Sequence, residues 1–149
     1  MPSGSGRGRK AAPDAERRGS LRVSVRLDRD AAPAGPTVNG FVGTGFRVGD
    51  TVHPSGLKLA PDWARGWTAP RLEDLDEAAL ADLLAHEPPP EFLLLGTGPT
   101  MRRPPHAFAA AVEARGIGIE AMDSRAAARA WGVLRGEDRW IVAALLPLG

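Results

Sequence analysis

The sequence predicts an α/β fold, and the pattern that predicts it lies in the last third of the chain. Between Phe92 and Pro147 the chain reads as strand, glycine loop, helix, strand, helix and strand. The first of these strands, FLLLG, is a continuous apolar run bounded by proline and glycine, which is typical of a strand buried on both faces. We therefore expect helices on both sides of a sheet, with a Gly96-Thr97-Gly98 turn at the exit of a buried strand.

Composition and charge narrow the classes of function. The chain has 149 residues, the size of one domain, and a formal net charge of +1, which provides no global field for nucleic acid or a membrane surface. It contains no cysteine, which excludes disulfides, thiolate metal sites and cysteine nucleophiles. No apolar run approaches the roughly 20 residues of a membrane-spanning helix. We expect no nucleic-acid partner, no transmembrane segment and a cytoplasmic location.

The N-terminal segment differs in composition from the rest of the chain. Residues 1–19 are rich in glycine, serine, proline and arginine, and they lack the apolar stretch of a secretory signal. Such a segment cannot bury enough apolar surface to offset the entropy of ordering. We predict a disordered basic tail over residues 1–19 and a single domain over residues 20–149.

Short strands are predicted in the N-terminal half. Apolar residues alternate in LRVSVRLD, residues 21–28, which indicates a half-buried strand. Residues 41–58 contain several short β-type runs broken by glycines, with a hairpin turn at the Gly49-Asp50 pair. This pattern predicts a meander of short strands.

A loop and a short helix are predicted to connect the two halves. Trp63 and Trp67 stand among prolines and glycines, and we expect an irregular segment that forms a lid over the core. Asp74 or Asp76 can cap the helix, which must end before the prolines that follow it. The apolar stripe of this helix consists of Leu75, Ala79, Leu80, Leu83 and Leu84.

Two further helices are predicted on either side of a second strand, IGIEAM. Pro105 lies near the start of the first helix, where proline is tolerated, and Gly116 is expected to end it as a left-handed cap. Asp123 or Ser124 can cap the second helix. WIVAALLP is predicted to be the final buried strand. The core-facing residues expected on these helices are Phe108, Ala111, Val112, Ala127, Ala130, Trp131 and Leu134.

The glycine loop after the FLLLG strand is the candidate binding site. In open α/β sheets, ligands bind at the carboxyl ends of strands near a switch in strand order, and glycine-rich backbone can offer its amides to an anion. The loop lacks the lysine of a phosphate loop and the third glycine of a dinucleotide fingerprint. The alternative interpretation is a tight turn that requires positive φ. The candidate ligand-binding residues are Gly96, Thr97, Gly98, Arg102, Asp123 and Arg125.

No catalytic or metal-binding pattern is visible in the sequence. The histidines His53, His86 and His106 are isolated from one another and match no metal-ligand spacing. None has an evident nucleophile partner. We therefore assign no catalytic residue and expect neither a metal ion nor a cofactor.

Several motifs occur in a fixed order between Val38 and Pro147. They are Gly45-Phe46-Arg47-Val48, Pro54-Ser55-Gly56-Leu57, Trp67, residues 93–98, residues 116–123, residues 126–134 and residues 139–147. In this order they resemble the Mth938 domain family, the DUF498/DUF598 group, whose mitochondrial members include complex I assembly factor 3. The resemblance implies a three-layer α/β fold with a central mixed sheet, and it implies no activity, substrate or cofactor. The chain departs from the family pattern at Gly132, where the family has asparagine, and at Asp138, where it has glycine.

Two functional hypotheses follow. The first is a non-enzymatic protein-binding or assembly module; the resemblance implies partners among respiratory complex I subunits or assembly factors, and through them a peripheral location at the inner membrane. A homo-oligomer is compatible with the sequence. The second is a small anionic-ligand-binding domain or an enzyme that uses the glycine loop and nearby arginines. A cavity lined by Thr97, Arg102, Asp123 and Arg125 would favour the second, and a closed loop packed by Trp131 the first.

Overall fold

Two β-sheets organise residues 35–149, the part of the chain that the computed structural model describes. The tail predicted at residues 1–19 and the strand predicted at residues 21–28 lie outside these residues. An antiparallel three-stranded sheet contains β1 (Gly40–Val42), β2 (Gly45–Val48) and β3 (Thr51–His53). A five-stranded sheet contains β4 (Leu57–Ala60), β5 (Trp63–Gly66), β6 (Phe92–Gly96), β7 (Gly118–Met122) and β8 (Val142–Leu145).

The five-stranded sheet is mixed, as expected. Its strand order is β5-β4-β8-β6-β7, and β6 pairs in parallel with both β8 and β7. Strand β4 pairs in antiparallel fashion with β8 and with β5. The chain runs from β6 to β7 on one side and returns to β8 on the other, so the strand order reverses at β6.

Helices cover both faces of this sheet, and the three-layer α/β prediction is confirmed. They are α1 (Ala81–Leu84), α2 (His106–Glu113) and α3 (Ser124–Gly136). On β6, the side chains of Leu93 and Leu95 belong to a core cluster with residues of α1 and α2. Leu94 points to the opposite face and belongs to a second cluster with Trp131 of α3. This alternation explains why FLLLG is apolar at successive positions.

The meander differs in part from the prediction. Strands β1 to β3 form it, and the hairpin turn at Gly49-Asp50 is confirmed by the pairing of Val48 with Thr51. Strand β4, however, belongs to the larger sheet. The segment expected to be irregular begins with β5, which pairs Trp63 with Ala60. A four-residue strand that begins two residues after Pro61 and ends at Gly66 has too little local pattern to be recognised, and its pairing with β4 defines it.

The short connecting helix is broken into three pieces. Two 3₁₀ turns, Leu72–Asp74 and Glu77–Leu80, precede α1. The side chain of Asp76 accepts a hydrogen bond from the Ala79 amide at 3.0 Å, so Asp76 is the cap. Leu72 and Leu75 are both buried, and the Leu75 amide donates to the Leu72 carbonyl at 3.1 Å, which is the hydrogen bond of a 3₁₀ turn. In the described residues no helix is both long and apolar enough to cross a membrane.

Candidate functional site

The two glycines of the loop after β6 have separate structural roles. A Cβ atom on Gly96 would lie 2.7 Å from Ser124 Oγ and 2.9 Å from Leu145 Cδ2, so only glycine lets the strand end approach α3 this closely. Gly98 has φ +103°, a conformation that other residues rarely adopt. The requirement for positive φ that the turn interpretation predicts is therefore found at Gly98.

Ser124 joins the loop to the ends of two other elements. Its hydroxyl donates a hydrogen bond to the Leu146 carbonyl at 2.7 Å and accepts one from the Gly98 amide at 2.9 Å. The Ser124 amide donates to the Gly98 carbonyl at 2.8 Å. The side chain is fully buried, so these bonds, which we call the Ser124 bridge, are shielded from water. The bridge fastens the loop to the start of α3 and to the chain that follows β8.

Thr97 closes the loop on itself. Its Oγ1 lies 2.8 Å from the Thr100 carbonyl and 3.2 Å from the Met122 carbonyl, and it accepts a hydrogen bond from the Arg102 amide at 3.1 Å. The Thr97 amide donates to the Met122 carbonyl at 2.9 Å. The amides of Thr97 and Gly98 thus have protein acceptors, and an anion would have to compete for them.

A cleft of about 360 Å³ opens beside this loop, at the carboxyl end of the parallel strands. One side is formed by Thr97, Gly98 and Pro99 after β6, together with Leu146 and Pro147 after β8. The lining of the cleft also includes Arg71 and Glu73 from residues 69–77, and Arg102 from the loop after β6. The cleft lies where the strand order reverses, the position at which open α/β sheets bind ligands.

The charged side chains of the cleft form an exposed network of ion pairs. Glu73 Oε2 lies 3.8 Å from Arg71 Nη2, and Glu73 Oε1 lies 3.6 Å from Arg102 Nη1. Asp74 is 3.3 Å from Arg71 Nε. The pKa of Glu73 is held below its usual value, first by a hydrogen bond from its own backbone and then by the charges of Arg71 and Arg102. The Glu73 carboxylate is therefore ionised at neutral pH and partly neutralises both arginines.

The sequence-predicted site residues separate into two groups. Thr97, Gly98 and Arg102 line the cleft, and Gly96 lies beneath the loop. Asp123 instead caps α3, where its Oδ1 accepts a hydrogen bond from the Ala126 amide at 2.9 Å. Arg125 is exposed, and its guanidinium lies 5.4 Å from the ring centroid of Phe41. Neither Asp123 nor Arg125 lines the cleft.

The loop is closed, although not by the tryptophan that the sequence suggested. Trp131 is fully buried in the second core cluster, and its indole N–H donates to the Pro36 carbonyl at 2.9 Å. The Ser124 bridge closes the loop instead. The sequence predicted Ser124 as a possible helix cap but gave no sign of its bonds to the loop, and it did not indicate Arg71 and Glu73 because they come from a segment distant in sequence. Among residues 35–149, no group of three or more His, Cys, Asp or Glu is placed to hold a metal ion.

Comparison with known proteins identifies relatives of the whole domain. The model of a family described as a protein of unknown function, DUF498/DUF598, matches residues 38–146. An uncharacterised protein of Rhodobacter capsulatus is 32% identical over 111 residues, which are 74% of this chain and 84% of that protein. The NADH dehydrogenase [ubiquinone] 1 alpha subcomplex assembly factor 3 of Danio rerio is 29% identical over 127 residues, or 85% of this chain and 72% of that protein.

Solved structures show the same fold. The solution structure of a Bordetella pertussis protein described as an Mth938-like domain has a TM-score of 0.65 and is 28% identical. The alignment covers 76% of this chain and 87% of that one. The fold that the sequence motifs implied is thus the fold of this relative.

Proposed function

Because the chain belongs to the DUF498/DUF598 family, we propose that it is a protein-binding assembly module rather than an enzyme, and that it assists the assembly of respiratory complex I. The observation that carries this proposal is the similarity to an NADH dehydrogenase assembly factor along most of the chain. The partners would then be subunits or assembly factors of that complex. Through such partners the protein would work at the cytoplasmic side of the inner membrane.

The geometry of the loop supports a structural use of its polar groups. The buried hydroxyls of Thr97 and Ser124 bond to backbone atoms of the protein itself. A catalytic nucleophile needs a base within hydrogen-bond reach, and the contacts of these hydroxyls are carbonyls and amides. The polar groups of the loop therefore connect the ends of the strands to the start of α3.

Deletion of the gene that encodes the protein tests the proposal. We expect a deletion strain to contain several-fold less fully assembled NADH dehydrogenase on native gels, with a matching loss of NADH oxidation by isolated membranes. A plasmid copy of the wild-type gene should restore both. Succinate dehydrogenase in the same membranes is the control and should not change. A normal amount of assembled NADH dehydrogenase in the deletion strain would contradict the proposal.

The second candidate function, a small anionic-ligand-binding domain or enzyme, is favoured by two arginines on the cleft. Arg71 and Arg102 face it where the strand order reverses. Inorganic phosphate titrated at low ionic strength would then shift the amide resonances of residues 97–102 saturably, and Arg102→Ala would abolish these shifts. Shifts scattered over all exposed arginines would indicate nonspecific screening and would exclude this function.

A further inference from the structure

The cleft is the first part of a longer groove. Three adjoining hollows, of about 360, 280 and 350 Å³, follow one another along residues 69–77. Glu73 lines all three, Arg102 lines the first and second, and Pro105 lines the second and third. Residues 69–77 form one wall, and the loop after β6 with the first turns of α2 forms the other. We call this feature the long groove.

Its shape suits an extended polypeptide. The long groove runs from Pro147, beside the end of β8, to Ala111 on α2. A succession of shallow hollows accommodates alternate side chains of an extended segment better than it encloses one compact small molecule, which is normally buried on most of its surface. The apolar floor is made by Leu72, Leu75 and Phe108, which are only 2–4% exposed. The floor therefore defines the shape of the groove, and the charged rim sets which sequence a bound segment must have.

The sign of the rim charge changes along the long groove. Arg71 and Arg102 line the first hollow and Arg102 and Arg103 line the second, each together with Glu73, whereas Asp74, Asp76 and Glu77 join Glu73 in the third. The two walls touch midway, where Arg102 Nη1 lies 3.6 Å from Glu73 Oε1. Both side chains are about half exposed, so this ion pair is weak and can be replaced by a stronger contact. In the third hollow, Glu77 pairs with Arg115 at 2.9 Å, Asp74 lies 3.3 Å from Arg71 Nε, and Asp76 accepts a hydrogen bond from the Ala79 amide. The Asp74–Arg71 pair is largely exposed and therefore weak, so a basic group bound there can take the place of Arg71 beside Asp74 while it contacts Asp76.

From this geometry we propose that the long groove binds an extended segment of a protein partner. The segment carries a carboxylate that takes the place of Glu73 opposite Arg102, and a basic side chain that lies between Asp74 and Asp76. The charge polarity of the rim fixes the direction in which the segment lies. This inference rests on the proposed function, since it supplies a binding surface for a protein partner.

The probe is a phage-displayed library of random linear peptides of about 12 residues, which span roughly 40 Å when extended. The library is selected on the full-length protein, and the enriched peptides are synthesised and titrated by calorimetry. We expect them to share an acidic residue at one end, apolar residues in the middle and a basic residue at the other end. Their binding should shift the amide resonances of residues 69–77 and 97–111.

Charge reversal sharpens the test. Arg102→Glu should weaken binding at least about tenfold, and replacing the peptide's acidic residue with lysine should restore affinity for this variant. Arg129→Glu is the matched control, because Arg129 is exposed on α3, away from the groove, and this variant should bind as the wild type does. Equal affinity of wild type and Arg102→Glu would overturn the proposal. So would a concentration-dependent dimer that Arg102→Glu abolishes, since the occupant would then be a second copy of the chain.

Complementation of the deletion strain separates this inference from the proposed function. If the wild type restores NADH dehydrogenase assembly and Arg102→Glu restores it equally, the long groove is not the binding surface and the assembly role stands. If deletion leaves assembly intact while peptides of the expected charge order bind, the groove stands and the assembly role fails.

Discussion

Replacing Leu94 with alanine is expected to lower the free energy of unfolding by about 2–5 kcal/mol. Leu94 is fully buried in β6, which has a parallel neighbour on each side. Its side chain packs in the core cluster that contains Trp131. Because the flanking strands fix the position of the backbone, the surrounding side chains can fill the resulting cavity only in part. Urea titration followed by circular dichroism measures the loss, read from the transition midpoint at constant m-value.

Val133→Ala is the control for this experiment. Val133 lies on α3 with 64% of its surface exposed, so its truncation should change the free energy of unfolding by less than about 0.5 kcal/mol. If Leu94→Ala were as mild as Val133→Ala, β6 could not be an interior strand of the sheet that is covered on both faces. The fold assignment from the FLLLG run would then be wrong.

The elements that the sequence predicted well are those defined by local signals. Asp123 caps α3 through the amide three residues further on, which is visible in the sequence as an acidic residue before a helical run. Gly116 has φ +81° just after α2, as expected of a left-handed cap. The apolar runs of β6 and β8 are buried throughout or nearly so. In each of these elements, the residues whose pattern is visible in the sequence are the same residues that form the cap, the turn or the buried strand.

Elements defined by distant pairing were predicted less well. Strand β5 has only four residues, two of them exposed, and its existence depends on β4. The broken helix before β6 depends on tertiary contacts as well. Lys58 of β4 donates to the Ala79 carbonyl at 2.7 Å and to Asp82 at 3.0 Å, which holds this segment against the sheet. No pattern within either segment reveals such partners.

The same division applies to the candidate site. The loop residues Thr97 and Gly98 and the nearby Arg102 were predicted together because they are neighbours in sequence. Arg71 and Glu73 reach the cleft only because residues 69–77 pack across the carboxyl end of the sheet. Arg125 was expected there because it lies at the start of the helix that follows a neighbouring strand, but it is on the exposed face of α3. The position of a residue within the helical turn decides which way its side chain points, and being close in sequence to the end of a strand does not.

Ser124→Ala is the most direct test of how the loop is held, and we expect it to lower the free energy of unfolding by about 2–4 kcal/mol. The alanine side chain fits the same space but leaves the Gly98 amide and the Leu146 carbonyl without their buried partner. A buried polar group without a hydrogen bond costs about 1–3 kcal/mol. Thermal or urea denaturation measures the total loss. Hydrogen exchange at the Gly98 amide reports the local loss and should become faster.

Ser55→Ala is the matched control, because it is the same substitution at an exposed position and should change stability by less than about 0.5 kcal/mol. Measuring both stability and peptide affinity shows whether the Ser124 bridge only holds the loop in place or also contributes to binding. If the Ser124 bridge only fastens the loop, Ser124→Ala should destabilise the protein and leave the affinity of groove-binding peptides within about twofold at a temperature where the variant is folded. A stability equal to that of Ser55→Ala, with unchanged exchange at Gly98, would show that the loop keeps its conformation without the bridge. The positive φ of Gly98 and the internal bonds of Thr97 would then be sufficient to define it.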